Sequence, residues 1–162
     1  MKILLTGGNG FIGHNLAIFL KKKGHQVNIL DSLSVNNLLS FTDSEIVNQK
    51  LYRSILNERI NLLNSNNINL QVVDARDYHL YSKIYSSIDP EIVIHLAAVS
   101  HANKSNKDPH NTFDHSLRTL ENTLDVCRVN KTHVIYLSSS MVYGNFTTGT
   151  VNEKTPCSPI GI

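Results

Sequence analysis

The chain has 162 residues, of which 41% are hydrophobic and 17% are charged, so its length and composition are those of one globular domain. The 15 Lys and Arg residues against 13 Asp and Glu residues give a formal net charge of +2, too small to favour a nucleic-acid partner. No apolar run approaches the roughly 20 residues that cross a membrane, and the N-terminus does not have the pattern of a signal peptide. We therefore expect a cytoplasmic protein that has neither a nucleic acid nor a membrane as partner.

Short apolar runs alternate with segments of helical periodicity along most of the chain. The predicted strands cover residues 2–6, 26–30, 69–73, 91–96 and 133–137. The predicted helices cover residues 11–23, a segment from a capping box at 42–45 to about residue 64, and residues 78–88. Because these strands are apolar along their whole length, they predict an α/β fold with a doubly wound parallel sheet of the Rossmann type and helices on both faces. Ligands should then collect at the carboxyl ends of the strands.

A further helix is predicted after Asp108-Pro109, a pair typical of a helix cap followed by a first-turn proline. Apolar residues recur there every three or four positions: Phe113, Leu117, Leu120, Leu124 and Cys127. This stripe is expected to pack in the core rather than to form a partner surface.

A glycine-rich loop of sequence Thr-Gly-Gly-Asn-Gly-Phe-Ile-Gly occupies residues 6–13, between the first strand and the first helix. A dinucleotide needs a tight turn, a backbone with no side chain facing its pyrophosphate, and close helix packing, which Gly7, Gly10 and Gly13 can provide in that order. The phosphates would rest on free N–H groups at the positive end of the helix. Glycines also serve purely structural turns, but the strand-loop-helix context favours a nucleotide loop.

Asp31 follows the second strand, 18 residues after Gly13. A carboxylate at this place can accept hydrogen bonds from both hydroxyls of an adenosine ribose, and it repels a 2′-phosphate. Residues 32–41 contain no Arg or Lys that would favour such a phosphate, so NAD is predicted rather than NADP. The alternative interpretation is a surface aspartate that begins a turn with Ser32.

Four further segments accompany the glycine loop: Val-Asp-Ala-Arg-Asp at 73–77, residues 89–98, Ser100-His101 with Asp108-Pro109, and Leu-Ser-Ser-Ser-Met-Val-Tyr-Gly at 137–144. In this order they resemble the NAD-dependent epimerase/dehydratase family, extended short-chain dehydrogenases that act on nucleotide sugars. The resemblance covers essentially the whole chain. It implies NAD as cofactor and a cofactor-binding set made of Gly7, Asn9, Gly10, Phe11, Ile12, Gly13, Asp31, Asp74, Ala75, Leu96, Ala97 and Ala98.

The resemblance also assigns roles within and beyond that set. Asp74 and Ala75 would contact adenine, while Leu96, Ala97 and Ala98 would pack along the cofactor. Ser139 would be the catalytic hydroxyl that hydrogen-bonds the developing carbonyl oxygen at the reacting sugar carbon. Ser100, His101 and Ser140 would face the substrate.

The chain departs from the family pattern at three places. Ser140-Met141 stand where dehydratases carry an acid pair, which favours epimerisation or simple oxidation and reduction. His115-Ser116 replace an asparagine pair near the cofactor. No tyrosine is followed four residues later by a lysine, so the family's catalytic Tyr-x-x-x-Lys is missing from these 162 residues.

We therefore expect residues 1–162 to be an NAD-binding Rossmann domain that ends before the catalytic pair and the substrate domain. On this hypothesis it belongs to a nucleotide-sugar epimerase that works by reversible hydride transfer, and it is inactive alone. The alternative is a non-catalytic dinucleotide-binding or sensing module. An uncovered fifth strand would favour self-association, for example as a homodimer. None of the eight histidines has metal-site spacing, and His95 is expected to be buried and hydrogen-bonded.

Overall fold

The computed structural model describes residues 1–34, 48–99, 106–145 and 149–160. Its strands are β1 (Lys2–Thr6), β2 (Gln26–Asp31), β3 (Asn69–Val72), β4 (Ile92–His95) and β5 (His133–Tyr136). Its helices are α1 (Phe11–Lys22), α2 (Gln49–Ser65), α3 (Tyr78–Ile88), α4 (Pro109–Phe113) and α5 (Thr119–Asn130). A π-helical turn (Asp114–Arg118) joins α4 to α5, and a short 3-10 helix (Ser140–Tyr143) follows β5. Within the described ranges the strands form one parallel sheet in the order β3-β2-β1-β4-β5.

Helices cover both faces of this sheet because successive strand residues point to opposite sides. Ile3 and Leu5 of β1 pack on one face, in a buried cluster with Ala17 of α1 and Leu63 of α2. Leu4 packs on the other face, in a cluster that includes Tyr81 and Tyr85 of α3 and Val126 and Cys127 of α5. The predicted doubly wound α/β fold is confirmed.

The element boundaries lie close to those predicted from periodicity. The strands agree to within one residue at each end, and α3 covers the predicted residues 78–88. Helix α1 ends after Lys21 and Lys22, and Gly24 follows with a φ of +84°, the left-handed conformation that glycine favours after a helix. The capping box predicted at 42–45 lies outside the described residues, and α2 begins at Gln49.

The prediction that the apolar stripe after Asp108 packs in the core was wrong for three of its members. Phe113, Leu117 and Leu124 are about half exposed, whereas Cys127 is buried. The physical reason is the π-helical turn, which inserts an extra residue into the helical repeat and changes the face that meets the sheet. The buried face of α5 consists instead of Thr119, Asn122, Thr123, Val126 and Cys127.

Candidate functional site

A cleft lies at the carboxyl edge of the sheet, where β1 separates β2 from β4 and the direction of winding reverses. It has a larger lobe of about 640 Å³ beside β2 and β3, and a smaller lobe of about 350 Å³ beside β4 and β5. Both lobes are within the size range of small-ligand sites, and dinucleotides bind at such reversal points. The two lobes share a central strip of lining residues: Gly7, Gly10, Phe11, Leu96, Ala97 and Ala98.

The glycine loop brings its backbone against β4 and the start of α1. Gly7 has a φ of +71°, and a Cβ there would lie 2.7 Å from the Ala97 nitrogen. A Cβ on Gly13 would lie 2.5 Å from the Gly8 Cα, so the helix packs directly on the loop. At Gly10 the nearest atom to such a Cβ, the Gly7 carbonyl oxygen, is 3.4 Å away. The close approaches at Gly7 and Gly13 fit the tight turn and the helix packing that the sequence predicts.

The start of α1 offers hydrogen-bond donors to the cleft. Gly10 is the residue that caps this helix, and among the described residues no side chain accepts a hydrogen bond from the first-turn N–H groups. Such N–H groups, at the positive end of a helix dipole, form an anion site. Gly10 lines both lobes, so the donors lie at the middle of the cleft.

Asp31 is held rigidly at the end of β2, in the larger lobe. Its Oδ2 accepts a hydrogen bond of 2.8 Å from the Asn9 N–H, and its Oδ1 accepts one of 2.8 Å from the Leu33 N–H. Burial raises the pKa of this carboxyl, while the two N–H groups act in the opposite direction. The side chain is thus fixed at the position predicted for a ribose acceptor and keeps lone pairs for further donors.

The far end of the larger lobe is formed by the loop after β3, which contains Asp74 and Ala75. Arg76 makes an ion pair of 2.6 Å with Asp74 and another of 2.7 Å with Asp114 of the π-helical turn. Burial raises the pKa of Asp74, but the hydrogen bonds and charge of Arg76 outweigh it and lower the pKa overall. Asn122 of α5 donates to the Ala75 and Arg76 carbonyls at 2.8 and 3.0 Å.

The sequence motifs assign no role to the three residues that support this loop: Arg76, Asp114 and Asn122. Only Arg76 gave a local signal, as a basic residue two positions after the predicted adenine-side carboxylate. Its partner Asp114 is 38 positions away, and Asn122 is 46 positions away, so only the fold brings them together. The α4-to-α5 segment supplies further lining residues that were not predicted as a group: Asp108, Asn111, Thr112, His115 and Thr119.

The floor of the smaller lobe is formed by His95 at the end of β4 and Tyr136 at the end of β5. His95 is 2% exposed, and its Nδ1 lies 2.8 Å from the Thr6 Oγ1 and 3.1 Å from the Thr123 Oγ1. Burial lowers the pKa of His95 to about 4. The expectation of a buried, hydrogen-bonded histidine is met, and the ring is neutral at pH 7. Ser138 also lines this lobe.

The remaining predicted site residues are divided between the smaller lobe, positions outside both lobes and positions outside the described ranges. Asn9 is fully buried and reaches the site only through its N–H to Asp31. Ser139 and Ser140 are exposed beyond Ser138, and the Ser139 Oγ accepts a hydrogen bond from the Met141 N–H. Ser100 and His101 lie outside the described residues. Ile12 and Gly13 line the smaller lobe.

Metal sites and membrane spans are both missing from the part of the chain that the structure describes. No group of three or more His, Cys, Asp or Glu side chains there is placed to hold a metal ion. No helix within the same ranges has the length and apolar character needed to span a membrane.

The sequence and the fold of this chain are similar to those of known proteins. The model of the NAD dependent epimerase/dehydratase family matches residues 3–161. Protein CapI of Staphylococcus aureus is 34% identical over 145 residues, which are 89% of this chain and 39% of CapI. A UDP-glucose 4-epimerase of Neisseria meningitidis serogroup B is 29% identical over 89% of this chain and 38% of its own. The chain thus spans about two-fifths of the length of these curated relatives.

Solved structures of UDP-glucose 4-epimerases are also similar to this chain. The UDP-glucose-4-epimerase from Stenotrophomonas maltophila, with bound NAD and formylated UDP-arabinopyranose, matches with a TM-score of 0.76 and 25% identity. The match covers 98% of this chain and 43% of that one. The UDP-glucose 4-epimerase of Thermus thermophilus, in complex with NAD, matches with a TM-score of 0.75 and 25% identity, over 98% and 45% of the two chains.

Proposed function

The chain belongs to the NAD dependent epimerase/dehydratase family, and we propose that its cleft binds NAD as the coenzyme-binding part of a nucleotide-sugar epimerase. Bound NAD supplies reversible hydride transfer at a sugar carbon. The observation that carries the proposal is the arrangement of the cleft, with helix N–H groups at its centre and a fixed carboxylate in the larger lobe. The family resemblance drawn from the motifs, including its dependence on NAD, is confirmed.

The shape and chemistry of the central strip suit the middle of a dinucleotide. Gly10 has room for a pyrophosphate where a side chain would stand, and the first-turn N–H groups of α1 can donate to it. Asp31 can accept hydrogen bonds from the adenosine ribose, and its negative charge disfavours a 2′-phosphate. These features support NAD rather than NADP.

The two halves of NAD are then assigned to the two lobes. The adenosine half lies in the larger lobe over β2 and β3, beside Asp74 and Ala75. The nicotinamide half lies in the smaller lobe, where the small residues Ala97 and Ala98 allow a ring to approach β4. Ser139, Ser140, Ser100 and His101 are proposed to face the nucleotide sugar, with Ser139 beside the reacting carbon. The names of the relatives support a UDP-sugar as that substrate.

We further propose that residues 1–162 bind the coenzyme without turning over a sugar nucleotide. None of the six tyrosines has a lysine four positions later in the sequence. Without that pair the chain has no phenol activated to exchange a proton with the sugar hydroxyl. The alternative of a non-catalytic dinucleotide-binding module makes the same prediction of binding without turnover by this chain.

Calorimetric titration with NAD and NADP tests the coenzyme site. The wild-type chain should bind NAD at least about tenfold more tightly than NADP, because the Asp31 carboxylate repels the 2′-phosphate. Asp31→Asn should weaken the binding of NAD and strengthen the binding of NADP, so that the ratio of the two affinities falls. Asp89→Asn is the matched control, since Asp89 is exposed at the opposite edge of the sheet and should leave both affinities unchanged.

Three results would contradict the proposal. Saturable binding of neither coenzyme would remove the function. A preference for NAD that persists in Asp31→Asn would remove the role of that carboxylate. Epimerisation of UDP-glucose by the purified 162-residue chain would show that turnover needs no Tyr-x-x-x-Lys.

A further inference from the structure

We propose that Arg76, held in turn by Asp114, is a specificity-determining positioning residue. It fixes the Asp74 carboxylate so that the larger lobe accepts a purine with an amino group at its sixth position and rejects one with an oxo group there. The inference rests on the proposed binding of NAD in this cleft, and it assigns a role to a side chain that does not itself line the cleft.

The pairing of β2 with β3 places Asp74 where the purine must lie. Asp31 is the register partner of Val72, and its carbonyl accepts a hydrogen bond of 3.1 Å from the Val73 N–H. Asp74 follows two residues after Val72 and lines the same lobe as Asp31. Because neighbouring strands lie about 4.8 Å apart, a base attached to a ribose at Asp31 extends over the end of β3.

Arg76 occupies most of the acceptor capacity of Asp74. The Arg76 N–H and Nε donate to Oδ1 at 2.9 and 3.1 Å. The Nη2 donates to Oδ2 at 2.6 Å, and Nε also lies 3.0 Å from Oδ2. A carboxylate has about four lone-pair sites, and Arg76 brings three donor groups to them. About one site is left, and the side chain of Asp74 remains 34% exposed.

Arg76 cannot easily rotate away, because it is held from the other side. Its Nη1 donates to the Asp114 Oδ2 at 2.7 Å, and its carbonyl accepts from the Asn122 amide. The guanidinium therefore bridges the β3 loop and the π-helical turn, and a planar fork with two bound carboxylates has a defined orientation.

A carboxylate held ionised in this way can only accept hydrogen bonds. Arg76 outweighs the effect of burial and keeps the pKa of Asp74 low, so the carboxylate does not take up a proton to become a donor near neutral pH. An adenine amino group can donate to the remaining site. A hypoxanthine oxo group in the same place would set two acceptors against each other, which disfavours binding.

The test compares NAD with nicotinamide hypoxanthine dinucleotide, in which an oxo group replaces the adenine amine, by calorimetry on the 162-residue chain. The wild type should bind NAD roughly tenfold to a hundredfold more tightly than the analogue. Arg76→Lys and Arg76→Gln should bring this ratio close to one, because Asp74 loses its orientation. Asp114→Asn, which leaves the Arg76–Asp74 pair in place, should reduce the ratio by a smaller factor.

Arg128→Gln is the matched control, since it breaks an Arg–Asp pair of 2.9 Å on the outer surface of α5 and should leave the ratio unchanged. Should the Arg76 variants fail to fold, Asp114→Asn decides, and an unchanged ratio in it would overturn the inference. If folded Arg76 variants lose affinity for both dinucleotides by the same factor, the role of Arg76 is merely structural and the inference is overturned. A wild type that binds both dinucleotides equally would overturn the inference but leave the proposed function standing. A wild type that binds neither would overturn both.

Discussion

His95 shows how a single buried side chain can make the stability of the fold depend on pH. Its ring lies on the floor of the smaller lobe, with Nδ1 near the hydroxyls of Thr6 and Thr123 and its face stacked on Tyr136 at a centroid distance of 6.0 Å. The Nε2 atom is buried and has no hydrogen-bond partner among the described residues. A second proton on the ring would therefore place a charge in a buried position, where the backbone of Ala97 offsets only part of the cost of burial.

The low pKa of His95 predicts a loss of stability as the pH falls below neutral. In the unfolded chain a histidine has a pKa of about 6.5, so between that value and about 4 the unfolded state binds more protons than the folded state. The free energy of unfolding should drop by about 2 kcal/mol between pH 7 and pH 5 on account of this group. Urea unfolding at the two values measures the drop.

Two variants separate His95 from the other titrating groups. His95→Gln should reduce the difference in the free energy of unfolding between pH 7 and pH 5 by about the same 2 kcal/mol. His133→Gln, at an exposed position, should leave that difference unchanged. An identical difference in the wild type and His95→Gln would mean that this ring does not control the acid response.

At the scale of elements, the junction of β1, the glycine loop and α1 contains one glycine that matters for folding, Gly13, and another that matters for binding, Gly10. The α1 helix packs on the loop at Gly13, where a Cβ would lie 2.5 Å from backbone that cannot move aside. At Gly10 a Cβ would lie 3.4 Å from the Gly7 carbonyl oxygen, which is an ordinary contact. A methyl group added at Gly13 should therefore destabilise the fold, whereas one added at Gly10 should impair the binding of NAD.

We expect Gly13→Ala to lower the free energy of unfolding by about 2 kcal/mol, as overpacking against backbone does. Gly10→Ala should keep that free energy within about 0.5 kcal/mol of the wild type, yet weaken NAD at least about tenfold by blocking the pyrophosphate. Thermal unfolding and calorimetry measure the two effects. Unimpaired NAD binding by Gly10→Ala would show that the coenzyme does not cross the loop there.

Elements and site residues with a local signal could be predicted from the sequence. The alternation of Ile3, Leu4 and Leu5 between the two faces follows from strand geometry alone. The positions of Gly7 and Asp31 follow from a short motif and its spacing. The π-helical turn left no such signal, because apolar spacing of three to four residues continues through it while the buried face shifts from Leu117 and Leu124 to Thr123 and Val126.

Contacts between distant segments could not be predicted from the sequence, because they too leave no local signal. Asp114 and Asn122 support the loop at Asp74 only because α5 packs beside α3 on one face of the sheet. Polar residues on a helix are ordinarily exposed, and nothing in their spacing indicates a partner about 40 positions away.

At the scale of the whole molecule, β5 lies at one edge of the described sheet and presents apolar surface. Ile135, Tyr136 and Leu137 are 39%, 55% and 41% exposed, and an uncovered edge strand is a template for pairing with another chain. We propose that the 162-residue chain self-associates through this edge, as the expected homodimer would require.

Ile135→Lys should shift the chain toward monomer, because a charged side chain on an edge strand opposes pairing. Val129→Lys is the control, since Val129 is exposed on α5 rather than on the sheet edge. Sedimentation velocity over a range of concentrations measures the distribution. A wild type that stays monomeric at high concentration, or that is unaffected by Ile135→Lys, would contradict the assignment of this edge.

Titration of the isotope-labelled wild-type chain with NAD, followed through its amide NMR signals, shows whether the cleft binds the coenzyme, because it reports both binding and the residues involved. We predict saturable shifts that are largest for the amides of the cleft, at Gly7, Gly10, Phe11, Asp74 and Ala97. The amides of His79 and Lys83, on the outer face of α3, should stay unchanged. Shifts absent up to millimolar NAD, or confined to residues away from the cleft, would contradict this prediction.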